Sequence, residues 1–170
     1  MKLKSFFQSN LFIIIICVAI LFIIGIMCWT NGNSIEKFLN FKIIIPEPDK
    51  IEVLYREAGI NPASIEKWTY SSRKIQKLLK NKHTQKINPN DVNKIFDHLL
   101  SGWHGSFQND EIEKNFNRKL INDNNFYISR VIGEERVVSD DALNTPNIRN
   151  YLILIIDVES NEVYVFESMG

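Results

Sequence analysis

The chain has 170 residues with 20 basic and 20 acidic side chains, so its formal net charge is zero. This balance argues against a strongly basic nucleic-acid-binding protein and against an acidic, disordered solubiliser. Both cysteines, Cys17 and Cys28, lie in an apolar N-terminal run, which excludes a disulfide framework for the rest of the chain. About 135 residues remain beyond that run, enough for one domain and too few for two.

Residues 11–29 form a run of 19 residues without a charged side chain. As a helix the run reaches roughly 28 Å, close to the hydrocarbon thickness of a bilayer. Thirteen of its residues are Leu, Ile, Phe or Val, which gives an upper estimate of roughly −4 to −8 kcal/mol for insertion. The run predicts a transmembrane helix.

A cleaved secretory signal is the main alternative for this segment, but its apolar core is normally only about 7 to 15 residues and ends in small residues. Here the run ends in Met27, Cys28 and Trp29, although Thr30 and Gly32 leave a marginal cleavage site. We therefore expect an uncleaved anchor. Lipidation of Cys28 is disfavoured because the preceding residue, Met27, is not small.

The charges that flank the run predict its orientation. Lys2 and Lys4 precede it, whereas residues 30–34 are uncharged, and Lys37 reduces this bias only in part. The positive-inside rule then places the N-terminus in the cytoplasm. We expect a single-pass protein of the cell membrane with a C-terminal extracytoplasmic domain.

The domain boundary is predicted near Pro48, because Pro46 and Pro48 forbid helix and favour an extended connection. Ser34 can cap a short amphipathic stretch before it. The expected organisation has four parts: residues 1–10 cytoplasmic, 11–29 transmembrane anchor, 30–48 juxtamembrane linker and 49–170 extracytoplasmic α+β domain.

The first elements of the domain are a strand and a helix. Ile51, Val53 and Tyr55 alternate with mostly polar residues and predict a strand. Residues 65–72 fit either a strand or a helical face. Residues 73–80 then predict a helix. Its inward residues are expected to be Ile75, Leu78 and Leu79, and its outward residues Lys74, Lys77 and Lys80.

The next helix carries the clearest local signal. Asn88 is a good N-cap, Pro89 suits the first helical position and Asp91 stands three residues beyond the cap. An apolar stripe follows at intervals of three and four: Val92, Ile95, Phe96, Leu99, Leu100 and Trp103. A shorter helix is predicted over residues 110–120.

The last third of the chain predicts a sheet. Apolar residues from 126 to 138 surround a turn at Gly133, and residues 151–158 and 163–166 form a closing hairpin. The first strand of the hairpin is apolar almost throughout, as expected for a central strand covered on both faces. The predicted fold class is α+β, with two or three helices packed on an antiparallel sheet.

No residue pattern indicates catalysis, a cofactor or a metal. His98 and His104 are six residues apart, which separates them on a helix, and His83 lies elsewhere. The serines are not in the Gly-flanked turn of an activated nucleophile. The pairs Glu134 with Glu135 and Asp140 with Asp141 neighbour turns and are interpreted as solvated charges rather than general acids and bases.

Charge is distributed unevenly along the domain. Residues 67–86 contain seven basic side chains and no acidic one, whereas residues 134–167 contain eight carboxylates against two arginines. Lys74, Lys77 and Lys80 are possible contacts for a polyanion or anionic lipid, but a solvated helix face is the favoured interpretation of the same residues. Trp68 and Tyr70 could stack on a sugar or base, but are more often core residues.

Thr145, Pro146 and Asn147 lead into the hairpin of residues 151–166. This C-terminal part, with the helix over residues 91–100, resembles small membrane-tethered extracytoplasmic domains of unknown function from Gram-positive bacteria. The resemblance covers about a third of the chain and implies fold and location, without an activity. Those domains typically carry a lipidated cysteine, which this chain lacks.

The leading functional hypothesis is a membrane-anchored binding or accessory module for a protein or envelope component. The alternatives are an envelope hydrolase, possibly metal-dependent through His98 and His104, and a module that binds polyanions or anionic lipid through its basic helix. Neither nucleic acid nor a cofactor is expected as a partner.

Overall fold

A computed structural model describes residues 38, 40–57, 63–101, 118–148 and 150–169. The chain divides into two compact units, Met1–Asn40 and Phe41–Gly170. The predicted span at residues 11–29 lies outside the described residues. Of the helices within the described ranges, none has the length and apolar character needed to cross a membrane.

The second unit is an α+β domain whose described part has a seven-stranded antiparallel sheet and two α-helices. The strands are β1 (Lys50–Glu57), β2 (Ala63–Thr69), β3 (Gln85–Lys86), β4 (Phe126–Ile132), β5 (Val138–Ser139), β6 (Asn150–Asp157) and β7 (Glu162–Met169). The helices are α1 (Ser72–Leu79) and α2 (Pro89–Ser101). The unit begins at Phe41 and includes the buried Phe41 and Ile43, which were expected in the linker.

The strand order is β1-β2-β7-β6-β4-β3, and β5 pairs with β4. The predicted closing hairpin is confirmed, because β6 and β7 pair continuously from Asn150 with Met169 to Asp157 with Glu162. β6 lies between β7 and β4, and its residues 151–156 are all buried. This explains the near-continuous apolar run: alternate side chains enter two different cores, one on each face of the sheet.

The first of these cores lies between the sheet and α2. It contains Ile65, Ile153, Phe166 and, from the helix, Val92 and Phe96. The rings of Phe96 and Phe166 meet edge to face with centroids 4.9 Å apart, which is a favourable arrangement of aromatic quadrupoles. The predicted core helix is therefore confirmed for its first half, whereas the side chains of residues 99–103 lie outside the described set.

The start of α2 follows the predicted capping chemistry. The Asn88 side-chain oxygen accepts a hydrogen bond from the backbone N–H of Asn90 at 3.2 Å. The Asn88 amide donates to the Asp91 carboxylate at 2.8 Å. The first bond pairs a backbone N–H that has no partner within the helix, and the second orients the Asn88 side chain that accepts it.

The second core lies on the opposite face of the sheet. Val131 of β4 belongs to the first core, and neighbouring residues of a strand point to opposite faces, so Arg130 lies on the face of the second core. The Arg130 Nε donates to the Phe41 carbonyl at 3.1 Å, and this places the segment 41–45 over that face. Asn81, just after α1, donates to the Ile44 carbonyl at 2.8 Å. Together with the buried Ile75 and Leu78, these bonds indicate that α1 and the segment 41–45 cover this face together.

Several elements differ in detail from the sequence prediction. The ambiguous residues 65–72 belong mainly to strand β2, and α1 begins at Ser72. β1 is a strand as predicted, but it lies at the sheet edge with Ile51 and Val53 exposed, and a bulge interrupts its register after Val53. The helix predicted over residues 110–120 falls largely outside the described residues, of which Arg118–Leu120 form one 3₁₀ turn.

Candidate functional site

The basic face of α1 is built by the 3.6-residue period of the helix. Ile75 and Leu78 are buried, so the opposite side presents Arg73, Lys77 and Lys80 to solvent. Lys74 lies at the flank of this ridge and forms an ion pair with Asp49. Of the three lysines predicted to contact a polyanion, Lys77 and Lys80 therefore face outward and have no ion pair with another described residue, whereas Lys74 pairs with Asp49.

Asp49 fixes the N-terminal end of α1. Its carboxylate accepts a hydrogen bond from the Ser71 backbone N–H at 2.6 Å as well as the contact from Lys74. The hydrogen bond from Lys74, followed by that from Ser71, lowers the pKa of Asp49. The Lys74 charge is thus used to attach the segment before β1 to the helix.

An exposed isoleucine lies beside the other end of α1. In the segment 41–44 the side chains of Phe41 and Ile43 are buried, while Lys42 and Ile44 project outward. Ile44 is 87% exposed, more than any other large hydrophobic side chain in the described ranges. The hydrogen bond from Asn81 to its carbonyl holds the Ile44 backbone beside Asn81, which Lys80 and Lys82 flank in sequence. We call this group the Ile44 patch; its residues are Lys42, Ile44, Lys77, Lys80 and Lys82.

The exposure of Ile44 was not predictable from the sequence, because residues 43–45 are three consecutive isoleucines and composition does not show which of them faces solvent. Trp68 and Tyr70, by contrast, are buried, as their more common role predicts. Tyr70 donates its hydroxyl to the Pro46 carbonyl at 3.1 Å, and burial raises its pKa. Neither ring is accessible for stacking on a sugar or a base.

A polar cluster joins three distant parts of the chain beside the second core. The Arg130 Nη1 donates to Asp140 Oδ1 at 2.5 Å, and the His83 Nδ1 lies 3.0 Å from Asp140 Oδ2. Because a carboxylate only accepts, Nδ1 carries the hydrogen, and the 3.4 Å approach of Arg130 to the same nitrogen is a contact between two donors. Burial raises the pKa of Asp140, but the hydrogen bonds from Arg130 and His83 outweigh it, so the pKa is lower than usual.

This cluster corrects the interpretation of Asp140 as a solvated loop charge. Asp141 instead stabilises its own turn by accepting from the Asn144 backbone at 3.1 Å, and Glu134 and Glu135 are exposed in a turn, as expected. The His83 ring has the orientation of a general base, with Nδ1 on a carboxylate. However, its Nε2 is buried and has no hydrogen-bond partner among the described residues, so the nitrogen needed for proton transfer does not reach solvent.

Two further carboxylates are buried on the same face of the sheet. Glu66 accepts from the Trp68 indole at 2.8 Å and from Arg56 at 3.0 Å. Glu167 accepts from the Ser64 hydroxyl at 3.3 Å. These bonds hold the two buried carboxyl side chains in place.

The residues of the metal hypothesis are only partly described. His98 is exposed on α2, and His104 lies outside the described residues. Across the described ranges no three His, Cys, Asp or Glu side chains are grouped as ligands of one ion. Ser129, one of the serines considered as a nucleophile, is buried within β4, and its hydroxyl has no partner in the described part of the chain.

Comparisons of the chain with protein-family profiles, with curated proteins and with solved structures give no match.

Proposed function

We propose that the chain is a single-pass membrane protein whose extracytoplasmic α+β domain is a binding or accessory module for a protein or envelope component. The observation that carries this proposal is the short separation along the chain between an apolar run suited to lipid and a folded domain with a polar surface suited to water. The apolar run ends at Trp29 and the compact unit begins at Phe41, with only eleven residues between them. An anchored run of this kind keeps the domain close to the bilayer.

The side chains of the domain support a binding role over a catalytic one. The groups best suited to proton transfer, His83 and Asp140, bond to each other and hold two loops against Arg130. The outward groups of α1, in contrast, form a continuous basic surface that is accessible to a partner. Surfaces of this kind favour association through complementary charge.

Membrane anchorage is tested with the full chain carrying a C-terminal tag. We expect the protein to stay in the membrane after alkaline extraction and the tag to be digested by protease added to intact spheroplasts. Replacing Val18 and Leu21 by Arg adds roughly 5 to 7 kcal/mol, comparable to the whole predicted insertion energy, and should release the chain. The matched variant Val18→Ile/Leu21→Ile should stay anchored. An extractable wild-type chain, or a tag protected until the cells are lysed, would refute the proposal.

The binding role is tested by photo-crosslinking in intact cells. A photoreactive residue placed at Arg73, in the exposed part of α1, should give a defined adduct. The same residue at Glu135, in an exposed turn on another part of the domain, is the control. Equal, diffuse labelling from both positions would contradict a specific binding surface on α1.

A further inference from the structure

The Ile44 patch combines a protruding apolar side chain with unpaired basic side chains. Lys42, Lys77, Lys80 and Lys82 are exposed, and none of them forms an ion pair within the described ranges. Other lysines of the domain do: Lys67 bonds to Glu52 at 3.1 Å, and Lys74 pairs with Asp49. Glu47 and Asp49 are the exposed acidic residues that follow this segment, and Asp49 is paired with Lys74, so the patch keeps an excess of positive charge.

Hydrogen bonds hold the backbone segments that carry the residues of the Ile44 patch together. Lys80 donates its backbone N–H to the Lys77 carbonyl at 3.2 Å, so the two follow one another by one helical turn. Asn81, between Lys80 and Lys82, bonds to the Ile44 carbonyl. The buried Phe41 and Ile43 fix the backbone that carries Lys42 and Ile44. The patch is therefore a preformed surface, which reduces the entropic cost of binding.

We propose that the Ile44 patch docks on the anionic phospholipid surface of the membrane in which the chain is anchored, with Ile44 entering the headgroup region. This inference rests on the proposed transmembrane anchor. Fourteen residues, 30–43, separate Trp29 from Ile44, and even fully extended they span at most about 50 Å. The membrane is thus the surface that the patch meets at the highest effective concentration.

The chemistry of the patch matches that of an interfacial contact. Lysines near a bilayer are attracted by the negative potential of anionic headgroups, and this attraction decays within a Debye length. An apolar side chain at the centre of such a basic rim gains free energy by leaving water for the acyl boundary. A soluble polyanion satisfies the lysines but provides no apolar environment for Ile44, so the isoleucine favours the lipid surface.

The test uses the full chain in lipid nanodiscs, with Cys17 and Cys28 replaced by Ala and an environment-sensitive fluorophore on Ile44→Cys. We expect a blue-shifted emission, and quenching by lipid-borne nitroxides, in discs containing phosphatidylglycerol. Discs of phosphatidylcholine alone should give much less of both. The control is the same label on Val137→Cys. Val137 is 57% exposed, second only to Ile44 among the large hydrophobic residues of the described ranges, and it follows the acidic turn of Glu134 and Glu135.

The lysines are tested in the same assay by Lys77→Gln/Lys80→Gln/Lys82→Gln. Each lysine near the membrane surface contributes about a fivefold factor to binding. The triple variant should therefore lower the ratio of docked to undocked protein by about a hundredfold at most. Raising the salt concentration from 50 to 500 mM should act in the same direction. The patch lies on the surface, so these variants leave both cores unchanged.

Three results would overturn the proposal. One is equal quenching of labels at residues 44 and 137 in anionic discs, with the anchor still inserted. Another is quenching at residue 44 that depends neither on lipid charge nor on the lysines. The third is a label that responds to soluble polyphosphate but not to anionic lipid, which assigns the patch to a polyanion. Failure of the chain to insert into the discs would instead refute the anchor itself.

Discussion

The two side chains of the Arg130–Asp140 ion pair are buried to different extents, and this difference predicts how much stability is lost when each of them is replaced. The Arg130 side chain is only 7% exposed, whereas that of Asp140 is 39% exposed. Removing Asp140 leaves a guanidinium with little access to water. Removing Arg130 leaves a carboxylate that water can still reach. The two single substitutions should therefore have different costs, although they delete the same contact.

For Asp140→Ala we expect a loss of about 2–3 kcal/mol in the free energy of unfolding. A fully buried pair broken in this way costs about 3–5 kcal/mol, and the exposure of Asp140 lowers that figure through solvent screening. For Arg130→Met we expect about 1–2 kcal/mol, because the apolar stem is kept and the main loss is the hydrogen bond to the Phe41 carbonyl. The double variant should cost little more than Arg130→Met, since no unpaired charge remains buried.

Urea unfolding of the full chain in mild detergent, followed by circular dichroism, measures all three variants. We expect the proposed anchor to remain helical in the micelle, so that the transition reports the domain. A larger loss for Arg130→Met than for Asp140→Ala would refute the argument from burial. Additive losses in the double variant would show that the two side chains do not interact.

The pH dependence of the same pair has a defined sign. Hydrogen bonds from Arg130 and His83 outweigh burial and lower the folded-state pKa of Asp140. Its contribution to stability is thus complete above the unfolded-state pKa of about 3.9 and is lost as the pH falls through the folded value. The difference between wild type and Asp140→Ala should shrink below about pH 4; growth of that difference as the pH falls from 4 to 2 would contradict the assignment.

The same unfolding assay checks three further substitutions, two of them with a matched control. Ser129→Ala removes a buried hydroxyl that has no partner in the described part of the chain and should stabilise the domain by about 1 kcal/mol, whereas Ser64→Ala removes a hydroxyl bonded to a carboxylate and should destabilise it. Asn88→Ala should cost about 1 kcal/mol through loss of the α2 cap, and a neutral result would show that the cap is dispensable. Leu154→Ala, in the fully buried strand β6, should cost about 2–5 kcal/mol, while Leu143→Ala, at a partly exposed loop position, should cost less than 1.

Local signals in the sequence predicted local structure well. The Asn88 cap is set by residues within one helical turn, so the sequence contains all that determines it. The hairpin of β6 and β7 is also local, since a short turn joins its strands. The strand–helix ambiguity at residues 65–72 was resolved by pairing with β7, a contact between segments about a hundred residues apart.

The polar cluster was not predictable for the same reason. His83 and Asp140 are 57 residues apart, and Arg130 is 47 residues from His83. By itself, each of these residues is typical of a polar side chain in a loop or a strand, and only the folded sheet brings the three together. The exposure of Ile44 was likewise hidden, because a run of isoleucines has the same composition whether its side chains alternate between core and solvent or not.

The two-sided core restricts where a partner can bind the described part of the domain. Both faces of β6 are covered, and the charged groups on the α1 side, such as Arg130, are bonded to the chain itself. Contact with a partner must therefore occur at the edges of the described sheet or on the outer surface of the elements that cover its faces. The outer edge of β1 presents Ile51 and Val53, but a bulge and the flanking charges of Lys50 and Glu52 disfavour strand addition there. The Ile44 patch, on the elements that cover the second face, has no such obstacle, since its apolar tip is exposed and its lysines are unpaired within the described ranges, and this makes it the described surface best suited to association.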